Sequence, residues 1–230
     1  MAFAMIHAFI YLTRTDLVTN ISKGGGEVLL VFAHPDDETM FFLPLILQMR
    51  ASNIKFRLLC LSTGNYDGLG PVRVGELQAV ARALGALSCD IIDDRNLEDG
   101  PHVWKSTSVT VVVEKYLKSK PRVSALFTFD SYGVSGHPNH ISVYNGIIGR
   151  KWNFPVYILK SVPIWRKYVP VLDVIALLLS HDETLVAVNV WDPFKSLKMM
   201  KLYRSQNVWF RKLFSIFSKY GYVNEFSLIT

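Results

Sequence analysis

The apolar pattern predicts an α/β chain: a Rossmann-like, mostly parallel sheet flanked by helices on both faces. Three observations carry this. Short, continuously apolar runs alternate with segments of helical spacing, as strands buried on both faces alternate with the helices that cover them. The chain has 230 residues, 50% apolar and 19% charged, enough to bury roughly 70–75% of its unfolded surface in one core. And two polar, histidine-bearing segments follow directly on apolar runs, where open α/β sheets collect their ligands.

The elements follow in order. Glu27 to Ala33 is short, apolar and rich in branched residues, a buried strand, and Phe41 to Arg50 is the helix after it. Phe56 to Leu61 is the second strand; Val74, Leu77, Val80, Ala81 and Leu84 then recur at helical spacing. A short third strand covers Asp90 to Ile92, with a helix over Val109 to Lys118. Val123 to Phe129 is the fourth strand, His140 to Ile148 a helix, Val156 to Val162 the fifth strand and Leu185 to Val190 the sixth. The chain divides into residues 1–26, an apolar segment ending in a Gly-rich linker (Gly24, Gly25, Gly26), and a single domain over 27–230.

Composition excludes several classes. So few charges among so many apolar residues rule out intrinsic disorder, and 14 Gly, 10 Pro and two Cys rule out collagen and a disulfide framework. Cys60 and Cys89 lie in apolar stretches and are expected as buried thiols rather than a disulfide. The net charge is +6, and from Lys195 to Tyr220 there are seven basic residues and no acidic one. Phosphate backbones or anionic lipid headgroups suit such a block. No nucleic-acid recognition motif or stacking platform accompanies it. Met1 to Thr13 is apolar, but as a helix it reaches only about 20 Å, short of a bilayer's hydrocarbon core. It is expected to be a docked helix or part of a membrane anchor.

The chemistry sits in two loops. The first strand runs into His34-Pro35-Asp36-Asp37-Glu38; the fourth runs through Asp130 into Gly133-Val134-Ser135-Gly136-His137-Pro138-Asn139-His140. Two imidazoles and a carboxylate with an open position suit a catalytic zinc ion, although another divalent metal is also accommodated. Taken alone, the acidic run after His34 is equally a helix start answering the macrodipole. Pro138 fits a first helical position, which makes His137 the N-cap and turns His137 and His140 to the same side.

These motifs resemble the PIG-L/LmbE family of zinc-dependent de-N-acetylases. Leu61-Ser62-Thr63-Gly64-Asn65-Tyr66, Arg73 with Glu76, and Arg204-Ser205-Gln206-Asn207-Val208-Trp209-Phe210-Arg211 resemble its eukaryotic branch. That branch comprises the N-acetylglucosaminyl-phosphatidylinositol (GlcNAc-PI) de-N-acetylases of GPI-anchor synthesis. The resemblance implies that His34, Asp37 and His140 hold Zn²⁺, that Asp36 is the general base and that His137 is the electrostatic or acid partner. Either Asp36 or His137 would protonate the departing amine. It also implies the endoplasmic reticulum membrane, cytoplasmic face, as location, which the cysteine usage permits. Asn65 and Tyr66 are either pocket residues or a plain turn; Arg73 and Glu76 are either pocket residues or a solvated ion pair. The chain departs from the family at Ser135, where some bacterial members have Tyr, and at Tyr203, where His is common. Two other readings compete: a deacetylase of a soluble GlcNAc conjugate, and a non-catalytic membrane-associated binding protein.

At about 100° per residue, Trp209 to Tyr220 forms an amphipathic helix. Ile216, Trp209, Tyr220, Leu213, Phe217, Phe210 and Phe214 share one arc; Ser218, Arg211, Ser215, Lys219 and Lys212 share the opposite one. Such a helix either lies in a membrane interface or packs its aromatic face on the core. Val169 to Leu179, interrupted by Asp173, is a second greasy stretch that is core or touches a membrane.

Overall fold

The computed structural model describes residues 25–119, 122–169, 185–189 and 194–229, with 21, 173, 175, 176 and 192. The segment Met1 to Thr13 and most of Val169 to Leu179 lie outside the described residues. One seven-stranded sheet has the order β3-β2-β1-β4-β5-β7-β6. Its strands are β1 (Glu27–Phe32), β2 (Phe56–Cys60), β3 (Ser88–Ile91), β4 (Val123–Phe129), β5 (Val156–Leu159), β6 (Leu185–Val188) and β7 (Val223–Ile229). Strands β1 to β5 pair in parallel, and β7 joins antiparallel between β5 and β6. β1 is flanked on both sides, with Leu30 opposite Leu58 and Phe127, and Val28 to Phe32 are buried throughout. That is why this strand is continuously apolar.

The helices are α1 (Asp37–Phe41), α2 (Leu43–Ala51), α3 (Gly70–Leu84), α4 (Ser106–Ser119), α5 (Gly133–Gly136), α6 (Pro138–Ile148), α7 (Ile164–Tyr168), α8 (Lys195–Met200) and α9 (Trp209–Phe217). The predicted helix Phe41–Arg50 is thus two helices meeting at Phe42. Pro44, in the first turn of α2, has no amide to donate back to Met40, so a continuous helix cannot pass. Chain order reverses between β1 and β4: β2 and β3 lie to one side, β5 to the other. The loops after β1 and β4 therefore open at the topological switch point.

Two further features depart from the sequence expectation. The first is β7, which that reading lacks because polar residues occupy buried positions in it. Asn224 donates to the Phe41 carbonyl (2.8 Å) and accepts from the Leu45 amide (3.2 Å), while Glu225 is buried in an ion pair with Lys219.

The second is the terminal helix. It ends at Phe217, and Lys219–Gly221 forms a 3₁₀ turn in which Tyr220 is buried. Part of its polar arc faces inward: Ser215 is buried, as are Ser218 and Lys219 just past its end, and Arg211 reaches Asp36, while Lys212 stays exposed. The aromatic arc faces outward, with Trp209 71%, Phe210 54%, Leu213 45% and Phe217 52% exposed. Buried carboxylates decide this orientation. Lys219 Nζ lies 2.9 Å from Asp173 and contacts Glu225, and Arg166 bonds both acids. Three buried carboxylates would each lose a partner at several kcal/mol apiece, whereas the four partly exposed apolar side chains each forgo at most about 1.5–3 kcal/mol.

Both cysteines are free thiols. Cys60 is buried, and burial pushes the half-buried Cys89 up to about 12.

Candidate metal centre and cavity

The loop after β1 folds around its own carboxylate. Asp37 Oδ2 accepts from the amides of Ala33 (3.1 Å) and His34 (2.8 Å), leaving Oδ1 directed elsewhere. Asp36 sits at φ 108°, a conformation costly for any residue with a side chain. Glu38 supports it by accepting from the Asp36 amide (3.2 Å). Tyr203, the family departure, is fully buried and donates to Glu38 Oε1 (2.7 Å). Burial pushes Glu38 up to about 7, against its bonds from Thr39 and Tyr203.

The loop after β4 is fixed by Asp130, whose carboxylate accepts from the amides of Gly133 (3.0 Å) and Ser161 (2.6 Å). Gly133 has φ +64°, and a Cβ there would come within 2.5 Å of His140 Cβ. The glycine is what lets the loop and α6 approach. As expected, His137 is the N-cap of α6 and Pro138 opens the helix; His137 Nδ1 accepts from the Asn139 amide (3.2 Å).

The two loops meet in one cluster. His140 Nε2 lies 3.3 Å from His34 Nδ1 and 3.3 Å from Asp37 Oδ1; His34 Nδ1 lies 3.7 Å from Asp37 Oδ2. The far nitrogen of each ring faces an acceptor. His34 Nε2 meets Asn139 Oδ1 (2.9 Å) and Asp99 Oδ1 (3.1 Å), and His140 Nδ1 meets the Gly133 carbonyl (2.9 Å). With each N–H donated to its far-side acceptor, two ring lone pairs and a carboxylate oxygen converge on one point. A cation would satisfy that arrangement. Tetrahedral zinc with bonds near 2.0–2.1 Å spaces its donors about 3.3 Å apart. The outer acceptors are the partners that orient metal-bound imidazoles.

The donor atoms of His34, His137 and His140 also lie within 4.8 Å of one another, a group that could hold a metal ion. Asp37 Oδ1, 3.3 Å from His140 Nε2, offers a further donor atom, so His34, Asp37 and His140 form a second group that could hold the ion, with His137 beside them.

The charges agree. Burial opposes an imidazolium at His34, yet Asp99 and Asp37 outweigh it and hold the ring above its ordinary pKa. Burial likewise opposes charge on Asp37, and His140 with His34 hold it far below the carboxylate range. Asp36 goes the other way: burial raises it, opposed by Arg211 at 3.2 Å and Arg73 at 3.6 Å. Burial and the neighbouring rings press His137 down to about 4.

A cavity of about 700 Å³ opens on these groups. Its polar end holds His34, Asp36, Asp37, Arg73, Asp99, His137 and His140; its apolar wall is formed by Phe41, Tyr168, Phe210, Leu213, Phe214 and Phe217. Residues 29–149 match the PIG-L family, described as GlcNAc-PI de-N-acetylase. The chain belongs to the PIG-L family. A probable N-acetylglucosaminyl-phosphatidylinositol de-N-acetylase of Schizosaccharomyces pombe is 36% identical over 87% of this chain and 88% of its own. The Bos taurus N-acetylglucosaminyl-phosphatidylinositol de-N-acetylase is 34% identical over 90% and 85%. Among solved structures, the N,N'-diacetylchitobiose deacetylase of Pyrococcus horikoshii superposes with TM-score 0.63 at 15% identity, covering 96% of this chain and 91% of its own, a likeness of fold.

Other residues flagged by the PIG-L resemblance have distinct places. Arg73 is buried beneath the centre, donating to the carbonyls of Gly64 (2.9 Å) and Pro35 (2.7 Å) and to Asp99 (3.2 Å). Gly64 is needed there, since a Cβ would sit 2.6 Å from the guanidinium carbon. Glu76 turns away from Arg73 and binds the amide (2.8 Å) and hydroxyl (2.5 Å) of Ser205. Asn65 accepts from the Gly70 amide (2.8 Å) at the start of α3; with the exposed Tyr66 it lines a separate cavity of about 410 Å³ behind Asp99. Asp99 and the inward course of Arg211 were missed. Asp99 has no spacing signal, and Arg211 shares its arc with residues that the helical pattern assigns to solvent.

Proposed function

We propose that this protein hydrolyses the N-acetyl group of GlcNAc-PI to acetate and glucosaminyl-phosphatidylinositol, the de-N-acetylation step of GPI-anchor synthesis. The convergence of His34 Nδ1, His140 Nε2 and Asp37 Oδ1 beside Asp36 Oδ2, which is ion-paired with Arg211 but accepts no hydrogen bond, carries this reading. His34, Asp37 and His140 would hold a zinc ion, whose Lewis acidity would activate water near neutral pH and polarise the acetamide carbonyl.

The chain's own residues do the rest. Asp36, made more basic by burial and restrained by Arg211 and Arg73, takes a proton from the attacking water. His137 is neutral, and its occupied Nδ1 leaves Nε2–H to donate to the oxyanion. Because His137 is neutral, the proton on Asp36 goes to the departing amine as the C–N bond breaks. The apolar wall favours a lipid-linked substrate over a soluble sugar conjugate. Among the described residues no helix is long and apolar enough to cross a membrane. The lipid substrate and free thiols support a place at the cytoplasmic face of the endoplasmic reticulum membrane, which protease protection of microsomes would test.

The deciding experiment measures bound metal and acetate release from synthetic GlcNAc-PI together. Stoichiometric zinc with acetate release is expected. Metal without acetate would point to a binding protein, and neither would remove the enzyme reading.

A further inference from the structure

An amphipathic helix on a globular protein ordinarily buries its apolar arc. α9 packs Phe214 of that arc against Phe41 and turns most of the rest outward, held by Arg211 to Asp36 and by Lys219 just beyond to Asp173 and Glu225. Rotating the helix inward would strand these groups. The exposed ridge of Trp209, Phe210, Leu213 and Phe217 is thus built in. Three of those residues, Phe210, Leu213 and Phe217, also line the cavity that holds His34 and Asp36. Across the cavity mouth, Tyr168 of α7 packs edge-on against Phe214 with ring centroids 6.3 Å apart. Exposed basic residues adjoin the ridge in sequence: Lys212 on α9 itself, with Lys201 and Arg204 just before it.

We propose that α9 is a bilayer-docking ridge whose inner rim is the mouth of the active-site cavity, so that lipid substrate passes sideways from the membrane into the site. This deepens the de-N-acetylase reading and rests on it for the substrate. Aromatic side chains settle at the headgroup level, and basic neighbours fit anionic headgroups. Because the wall of the cavity and the ridge are the same helix, immersion leaves no aqueous gap for the acyl chains to cross. Arg211, on the opposite arc, stays at the polar end beside Asp36.

The test uses the full chain with an environment-sensitive fluorophore on Trp209→Cys or Leu213→Cys, in a Cys89→Ser background. Val111→Cys is the control, 61% exposed on α4, which packs on α6. Vesicles of phosphatidylcholine with a minority of phosphatidylserine should shift the 209 and 213 probes to the blue. Brominated acyl chains should quench them and leave 111 unchanged. Probes at 209 and 213 that respond no more than 111 overturn the ridge. A shift without vesicles that grows with protein concentration also overturns it, in favour of a second copy on this face. The double variant Trp209→Ser, Phe217→Ser should lower the ratio of turnover on vesicle-borne to detergent-dispersed substrate at least about fivefold. An unchanged ratio overturns the sideways path. If the wild-type chain turns over neither form, the deacetylase reading fails while the probe result stands.

Discussion

At the carboxyl ends of β1 and β4, buried carboxylates are left facing a cavity; in the C-terminal segment, buried carboxylates are closed off by Lys219 and Arg166. Both regions sink acids into the protein. Around Asp36 and Asp37 the neutralising groups are histidines and two arginines, with Asp36 Oδ2 lacking a hydrogen bond. Around Asp173 and Glu225, one lysine and one arginine complete the set. The first arrangement leaves a place for a cation and a proton. The second leaves none and serves to hold α9, α7 and β7 in register. Incomplete neutralisation marks chemistry; complete neutralisation marks architecture.

The largest effect is expected from Asp36→Asn, which keeps the shape and removes the base. Turnover should fall about 10²–10⁴-fold, with bound zinc unchanged by metal analysis. Activity near wild type would erase the distinction between the two carboxylate sets. Next comes Lys219→Met, which leaves Asp173 and Glu225 with Arg166 alone. Urea unfolding should show a loss of about 3–5 kcal/mol, against less than about 0.5 kcal/mol for Lys212→Ala on the exposed side of the same segment.

The architectural set also predicts an acid limb. Despite burial, Lys219 and then Arg166 hold Glu225 below its ordinary value. Its stabilisation is therefore present above the ordinary glutamate range and is lost as pH falls through the lower folded value. Glu225→Gln should flatten that limb in a pH series of unfolding curves. A smaller effect is expected at Asp99, which touches His34 from outside the metal triangle. Asp99→Asn should weaken zinc about 10–100-fold by competitive chelation, and an unchanged affinity would remove it from that role.

Legibility in the sequence divides along the same line. The parallel half of the sheet was readable because strands buried on both faces are continuously apolar, as Val28 to Phe32 are. The histidine loops were readable because their residue types are rare outside such sites, and Pro138 announced the cap that His137 makes. β7 was not, because Asn224 and Glu225 occupy buried positions and break the period that identifies a strand. Asp99 was not, because its partner His34 is sixty-odd residues away in sequence and only the sheet order joins them.

The terminal helix shows where the two sources part. Periodicity alone predicted a helix from Trp209 and which of its residues share an arc, because those follow from backbone geometry, although it carried the helix to Tyr220 where the structure ends it at Phe217. It could not determine which arc faces the protein. That depended on carboxylates contributed by the loop after β1, by Asp173 and by β7, which meet only once the sheet is assembled. Pairing buried charge outweighs burying apolar surface, so the tertiary structure drew Arg211 and Lys219 inward and left Trp209, Phe210, Leu213 and Phe217 at the surface.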